Sequence, residues 1–216
     1  FDYGRFLDVS GSMFRNNILN TFVAPHHIES KDGYWSVSTG NGSIHGKTIL
    51  FCDGWLASKN PWLFDASLKF DIVKGESCII QSIDLPETDI ISRGFAIIPI
   101  GNHRFRCAAT FQWNEATTIP TAFGAERLMQ RIQSLINCEY EILEQSAGLR
   151  PTMLHHLPFL GEHPNHKGIF MLGGLGTKGA LYAPHMAQQL VHHFSKGEQF
   201  DEEMDISKQH TRFAIH

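Results

Sequence analysis

Two short runs in this chain, Thr48-Ile49-Leu50-Phe51-Cys52 and Gly168-Ile169-Phe170-Met171-Leu172, are apolar at nearly every position. A strand that is apolar on both sides has to be covered on both sides, the condition of a central strand in a layered α/β fold. The first run stops at Asp53-Gly54. The second enters a cluster of four glycines, Gly173, Gly174, Gly176 and Gly179, ahead of a segment patterned as a helix.

Between these runs the pattern changes. Residues 69–83 read as one long strand with a bulge expected at Gly75. Residues 94–100 and 103–113 face each other across Gly101-Asn102, the clearest hairpin in the chain. Ala125, Leu128, Met129, Ile132, Leu135 and Ile136 form one stripe and predict a helix over about 121–137. A strand at EYEILEQSA follows, and then a turn-rich stretch from Gly148 to Gly168. The last helix is expected to begin between Gly179 and Pro184, with Ala183, Ala187, Leu190, Val191 and Phe194 on its apolar face and Pro184 tolerated in its first turn.

Near the N-terminus, Phe14, Ile18 and Phe22 predict an amphipathic helix over 8–24, capped by Asp8 or Ser10. Residues 34–53 read as short strands around the turn TGNGS. The tail from Gly197 is polar and expected to be loosely held. The chain is therefore read as α/β at its two ends with a hairpin-rich α+β part between them. The expected segments are 1–65, 66–146, 147–197 and a tail at 198–216.

Composition narrows the partners. Among 216 residues, 18 Lys and Arg stand against 22 Asp and Glu, a formal charge of −4. This balance argues against a broad basic face for nucleic acid. No apolar run approaches the roughly 18–20 residues needed to cross a bilayer, and no basic-then-apolar leader is seen. The sequence begins at Phe1 and is expected to be a piece of something longer. Cys52, Cys78, Cys107 and Cys138 are widely spaced, form no C-x-x-C, and sit in or beside apolar stretches. They are expected to be reduced, mostly buried thiols of a cytoplasmic protein, with no pair close enough to bridge.

Two features bear on chemistry. Glycines between a buried strand and a helix let a ligand approach the backbone and leave free N–H groups at a helix start, where negative charge is stabilised; the other reading is a plain tight turn. Gly174-Leu175-Gly176-Thr177-Lys178-Gly179 fits G-x-G-x-x-G by pattern, but no acidic residue follows about 20 residues on, and the phosphate-loop pattern is absent. Arg150 follows a strand and a glycine and precedes Pro151. An arginine there either clamps a carboxylate through two parallel bonds or makes a structural ion pair. His155, His156, His163 and His166 crowd into twelve residues, but Pro158 and Pro164 keep them on extended loops, and no metal is expected.

In order and spacing, residues 147–184 resemble the C-terminal signature of the FAD-dependent amino-acid and amine oxidases, the group of glycine oxidase, sarcosine oxidase and D-amino-acid oxidase. The matching pieces are Gly148-Leu149-Arg150-Pro151, Pro158-Phe159-Leu160-Gly161, the glycines from Gly173 to Gly179, and Ala183-Pro184. ILFCDGW resembles the strand that returns to the cofactor. VKGESCII resembles the first strand of the substrate layer, and GFAIIPIGNHRFRCAATFQW its hairpin. The likeness extends over essentially all of 3–197.

The resemblance implies a glutathione-reductase-like α/β FAD lobe, here partial, joined to a mixed-sheet substrate lobe, with the N-terminal dinucleotide-binding βαβ unit missing. It implies non-covalent FAD and hydride transfer from a small amine or amino acid to the flavin. Arg150 is then expected to hold the substrate carboxylate. Gly54, Gly174, Gly176, Thr177, Lys178 and Gly179 are expected to hold the cofactor, and no side chain is nominated as a catalytic base. A missing N-terminal segment or a partner chain would complete the site. The edges near 48–52 and 168–172 are therefore expected to be unpaired or apolar. The alternative is a non-catalytic lobe that binds a partner subunit or a small carboxylate.

Overall fold

The computed structural model describes residues 3–63, 70–113, 115–153 and 157–208. The chain divides into two compact units, 1–49 and 50–216. In the first, α1 spans Tyr3–Met13. It starts earlier and stops sooner than the apolar spacing predicts. Asp8 and Ser10 lie inside it, and Arg15-Asn16-Asn17 turn away as a short 3-10 segment. Paired asparagines are weak helix formers, and this outweighs the four-residue spacing of Phe14, Ile18 and Phe22. Strands β1 (Ile28–Lys31), β2 (Tyr34–Thr39) and β3 (Gly42–Gly46) then form an antiparallel meander. Strand β1 precedes the 34–53 stretch in which the sequence pattern predicts strands. Asp32 and Gly33, both at positive φ, make the turn behind it.

Strand β4 (Ile49–Phe51) ends the first apolar run. The core of the second unit is a six-stranded sheet. Its members are β5 (Phe70–Gln81), β6 (Ile91–Ser92), β7 (Ala96–Gly101), β8 (Arg104–Ala108), β9 (Gln112–Trp113) and, after α2 (Ala122–Gln133), β10 (Glu141–Met153). The order is β10-β5-β8-β7-β6, with β9 also paired to β5. The hairpin turn falls one residue later than expected, at Asn102-His103, both at positive φ. Thr121 caps α2 by accepting the Gly124 N–H. Leu128 and Ile132 of α2 pack on Cys78, Ile80, Ile97, Phe105 and Cys107 of the sheet.

No bulge occurs at Gly75, which pairs in regular register with Gly148; the β5–β10 irregularity falls at Ile142–Glu144. The bulge belongs instead to the other neighbour of β5. Between the Ser77–Ala108 pair and the Lys74–Gln112 pair, β5 advances three residues and its partner four. The extra residue lies at Ala109. Strand β10 runs on through Gly148–Met153, where turns were expected, because β5 offers it a continuous partner.

Strands β11 (Phe159–Glu162) and β12 (Ile169–Gly173) form a second sheet in the order β11-β12-β4. Strand β12 is thus paired on both sides and largely buried. This corrects the expectation of an open edge at 168–172. Strand β4 is terminal in that sheet, with Leu50 exposed, rather than central. Helix α3 (Gly179–Lys196) starts early enough to put Pro184 in its second turn, where one intrahelical bond is lost. The tail is not loose over its described part. Phe200 and Met204 pack with Leu160, Phe170, Met186 and Leu190, Ile206 is buried, and Leu160 donates its N–H to Met204.

All four cysteines are free thiols. Cys78 and Cys107 are directly opposed on β5 and β8. Opposed antiparallel residues have Cα atoms about 4.5–5.5 Å apart, inside the roughly 7 Å that a bridge tolerates. The expectation that no pair approaches is therefore corrected for this one. Among the described residues, no helix is long and apolar enough to cross a membrane.

Candidate functional site

The bulge decides which side chains meet. On β8, Phe105 and Cys107 point to the α2 face. Simple alternation would send residues 111 and 113 the same way. The extra residue at Ala109 reverses the phase, so Trp113 opposes Val73 on the other face of β5. On that face Phe111, Trp113 and Val73 line a cavity of about 330 Å³ together with Arg150, Thr152, Gly174, Leu175, Gly176, Thr177 and Lys178.

Arg150 stands opposite Val73 on β10 and leans along the strand so that its guanidinium lies over Gly75, where a Cβ would overlap it. The guanidinium carbon is 4.8 Å from the centroid of Phe111, a cation–π distance. Its Nη1 is 3.4 Å from the Thr110 carbonyl. Burial pushes the Arg150 pKa down from its usual value, yet a guanidinium remains a cation. Among the described residues no carboxylate pairs with it.

The glycine turn forms the facing wall. Gly176 donates its N–H to the Pro151 carbonyl at 2.9 Å, and Leu175 bridges to Thr152, so the turn is tied to the strand end that carries Arg150. Gly174 and Gly176 have φ of 68° and 53°, in the left-handed region that favours glycine. The first-turn amides of Gly179 and Ala180 have no acceptor within α3, and Lys178 stands beside them.

The structure thus brings Arg150, Gly174, Gly176, Thr177 and Lys178 around one cavity. Gly179 opens α3 just beyond it. Gly54 lies outside the lining, at the start of the 3-10 turn Gly54–Lys59. Val73, Phe111, Trp113, Thr152 and Leu175 were not anticipated. Among the described residues the lining carries two cations and no acid.

Of the histidines, His155 and His156 lie outside the described residues. His163 accepts the N–H groups of Asn165 and His166 and so holds its own loop. Among the described residues no group of three or more His, Cys, Asp or Glu side chains is arranged to hold a metal.

Solved structures of the same fold include two oxidases. The iminodiacetate oxidase of Chelativorans sp. BNC1 superposes with a TM-score of 0.73 at 19% identity, over 92% of this chain and 56% of that one. The glycine oxidase of Geobacillus kaustophilus superposes with a TM-score of 0.69 at 24% identity, over 84% of this chain and 50% of that one. The sequence matches the DAO family, FAD dependent oxidoreductase, over residues 21–193, and the chain belongs to that family.

Among curated relatives, the glycine oxidase of Geobacillus kaustophilus (strain HTA426) is 26% identical over 161 residues, 73% of this chain and 43% of the relative. That of Bacillus subtilis (strain 168) is 25% identical over 164 residues, 73% of this chain and 44% of the relative. The chain spans less than half the length of these two relatives.

The cofactor of the family is FAD. The donor set on the glycine turn is cationic, the chemistry an anionic group requires. Lys178 lines the cavity, and the first-turn amides of Gly179 and Ala180 follow it in the chain at the start of α3, where negative charge is stabilised.

Proposed function

We propose that this chain forms the substrate-binding part, and the part facing the flavin ring, of an FAD-dependent oxidoreductase acting on an amine or amino acid. One observation carries this reading: Arg150, with no carboxylate partner among the described residues, lines a cavity whose opposite wall is the glycine turn of a flavoprotein family. Bound FAD supplies the acceptor for the hydride leaving the carbon that bears the amine.

The residues of this chain position the substrate. Arg150 takes its carboxylate through two parallel bonds. The guanidinium is held beside the Phe111 ring and over Gly75, so little freedom is lost on binding. Val73, Phe111, Trp113 and Leu175 give the reacting end an apolar wall. Lys178 and the first-turn amides of α3 stabilise negative charge on the ring edge.

The test is titration of the chain with FAD and with small carboxylates, followed by turnover in a protein that carries the remainder of the fold. Carboxylate binding lost in Arg150→Lys, together with flavin uptake and amine-dependent reduction, supports the reading. Carboxylate binding without flavin uptake would instead support a non-catalytic lobe. Full turnover in Arg150→Lys would overturn the clamp.

A further inference from the structure

Behind the aromatic wall, on the opposite face of β5, lies a buried charge cluster that the chemistry above does not use. Lys74 and Glu76 are both fully buried, with Lys74 Nζ 3.6 Å from Glu76 Oε1. The ammonium donates to Glu115 Oε1 at 3.0 Å, Thr117 Oγ1 at 3.1 Å and the Ile119 carbonyl at 2.7 Å. Glu76 accepts the Thr121 N–H at 3.0 Å, the Thr121 hydroxyl at 2.7 Å and the Gln145 amide at 2.7 Å. Gln112, opposite Lys74 in register, donates to Glu115 Oε2 at 2.7 Å.

Most of these bonds grip Gln112, Glu115, Thr117, Ile119 and Thr121, between β9 and α2. That connection continues the bulged strand. The bulge is what turns Phe111 and Trp113 to the Arg150 face, and a slip of one residue in strand pairing sends every side chain to the other face. A slip here would also move Gln112 and Glu115 away from Lys74 and leave a buried ammonium short of partners, which is strongly disfavoured.

We propose that Lys74 is a positioning residue: its buried ammonium holds the bulged register that presents Phe111 and Trp113 to Arg150, and so gives the site a preference for carboxylates with a large apolar body over small ones. The specificity part rests on the reading of Arg150 as a carboxylate clamp. The wall is built from two aromatic rings, Val73 and Leu175, more apolar surface than a substrate without a side chain can cover. Lys74 itself touches neither cavity nor ligand; it acts through β9.

The experiment uses the 216-residue chain, two probes (acetate and phenylacetate) and the Trp113 indole N–H signal followed by NMR. The wild-type chain is expected to bind phenylacetate about tenfold or more tightly than acetate. In Lys74→Met the ratio falls towards one while acetate affinity is kept, and the indole signal shifts or broadens. A purely structural role would lower the melting temperature and leave the ratio and the indole signal alone. That result in a folded Lys74→Met overturns the proposal.

If Lys74→Met does not fold, Glu115→Gln, at the partly exposed end of the cluster, decides in the same way. If neither probe binds the wild type, the carboxylate reading of Arg150 fails. The positioning role then stands or falls on the indole signal alone, sustained if Lys74→Met moves it and overturned if it does not.

Discussion

The guanidinium of Arg150 lies over Gly75, although the two are not register partners; Gly75 opposes Gly148 and Arg150 opposes Val73. Two opposed glycines leave a bare patch of sheet. A flat cation rests on that patch and meets Phe111 at its side. The fork owes its direction to missing side chains as much as to present ones.

Gly75→Ala is therefore expected to separate binding from stability. The Cβ would collide with the far end of a flexible side chain, which can move, so thermal stability falls by no more than about 1 kcal/mol. The arginine loses its seat, and carboxylate affinity drops about tenfold or more. Paired melting curves and acetate titrations check this. Gly124→Ala is the contrast, because its Cβ would meet the Glu76 carboxylate, which cannot yield. A loss of about 1–3 kcal/mol is expected there.

Arg150→Lys keeps the charge and loses the fork. A point charge cannot make two parallel bonds or stack on Phe111 in the same way. Carboxylate affinity is expected to fall about tenfold or more with the fold unchanged. Titration with acetate by NMR, alongside far-UV circular dichroism, reads both.

Much of this arrangement is legible in the sequence, and the gaps have physical causes. Strand β5, the Asn102 hairpin and helix α2 show because period and turn residues agree locally. The likeness of Gly148-Leu149-Arg150-Pro151 and of the Gly173–Gly179 segment to a known family pointed to one wall of the site. The other wall was hidden. Phe105, Cys107, Phe111 and Trp113 all stand at odd positions and read as one face of one strand; the extra residue at Ala109 puts the first two in the core and the last two in the cavity. Buried Lys74 was hidden too, because its partners Glu115, Thr117 and Ile119 are more than forty residues away. The tail was misread because Phe200, Met204 and Ile206 are sparse among acids yet find a partner cluster formed by α3 and β11.

Acid should weaken the fold through Glu76. Burial pushes its carboxyl up, but the hydrogen bonds from Thr121 and Gln145, aided by the Lys74 charge, outweigh that and hold it below the usual carboxylate value. A group depressed in the folded state stabilises above its unfolded pKa, near 4.3, and that contribution is lost as pH falls through the folded value. Urea midpoints are thus expected to decline below about pH 4, and the decline should be shallower in Glu76→Gln.

Thiol chemistry should sort the cysteines. Cys52 is exposed, with its thiol pushed up by partial burial and by Asp53. Its reaction with a disulfide reagent should come first and quicken as pH rises beyond the range that suits an ordinary thiol. Cys78 and Cys107 are buried, and their mutual hydrogen bond together with burial pushes Cys107 up. Both are expected to react only at the rate of unfolding, read from the time course in increasing urea.

Strand β10 has thirteen residues and is the outermost strand of its sheet. Such an edge invites other chains to add to it and polymerise. Pro151 has no amide hydrogen to offer there, and its carbonyl is already taken by Gly176. Glu141 and Glu144 place like charges along the open half, so that a second copy laid against it would be repelled. The acids of the open half thus also guard solubility, and replacing Glu141 and Glu144 together by Val would be expected to leave the cavity intact while making concentrated solutions prone to fibres.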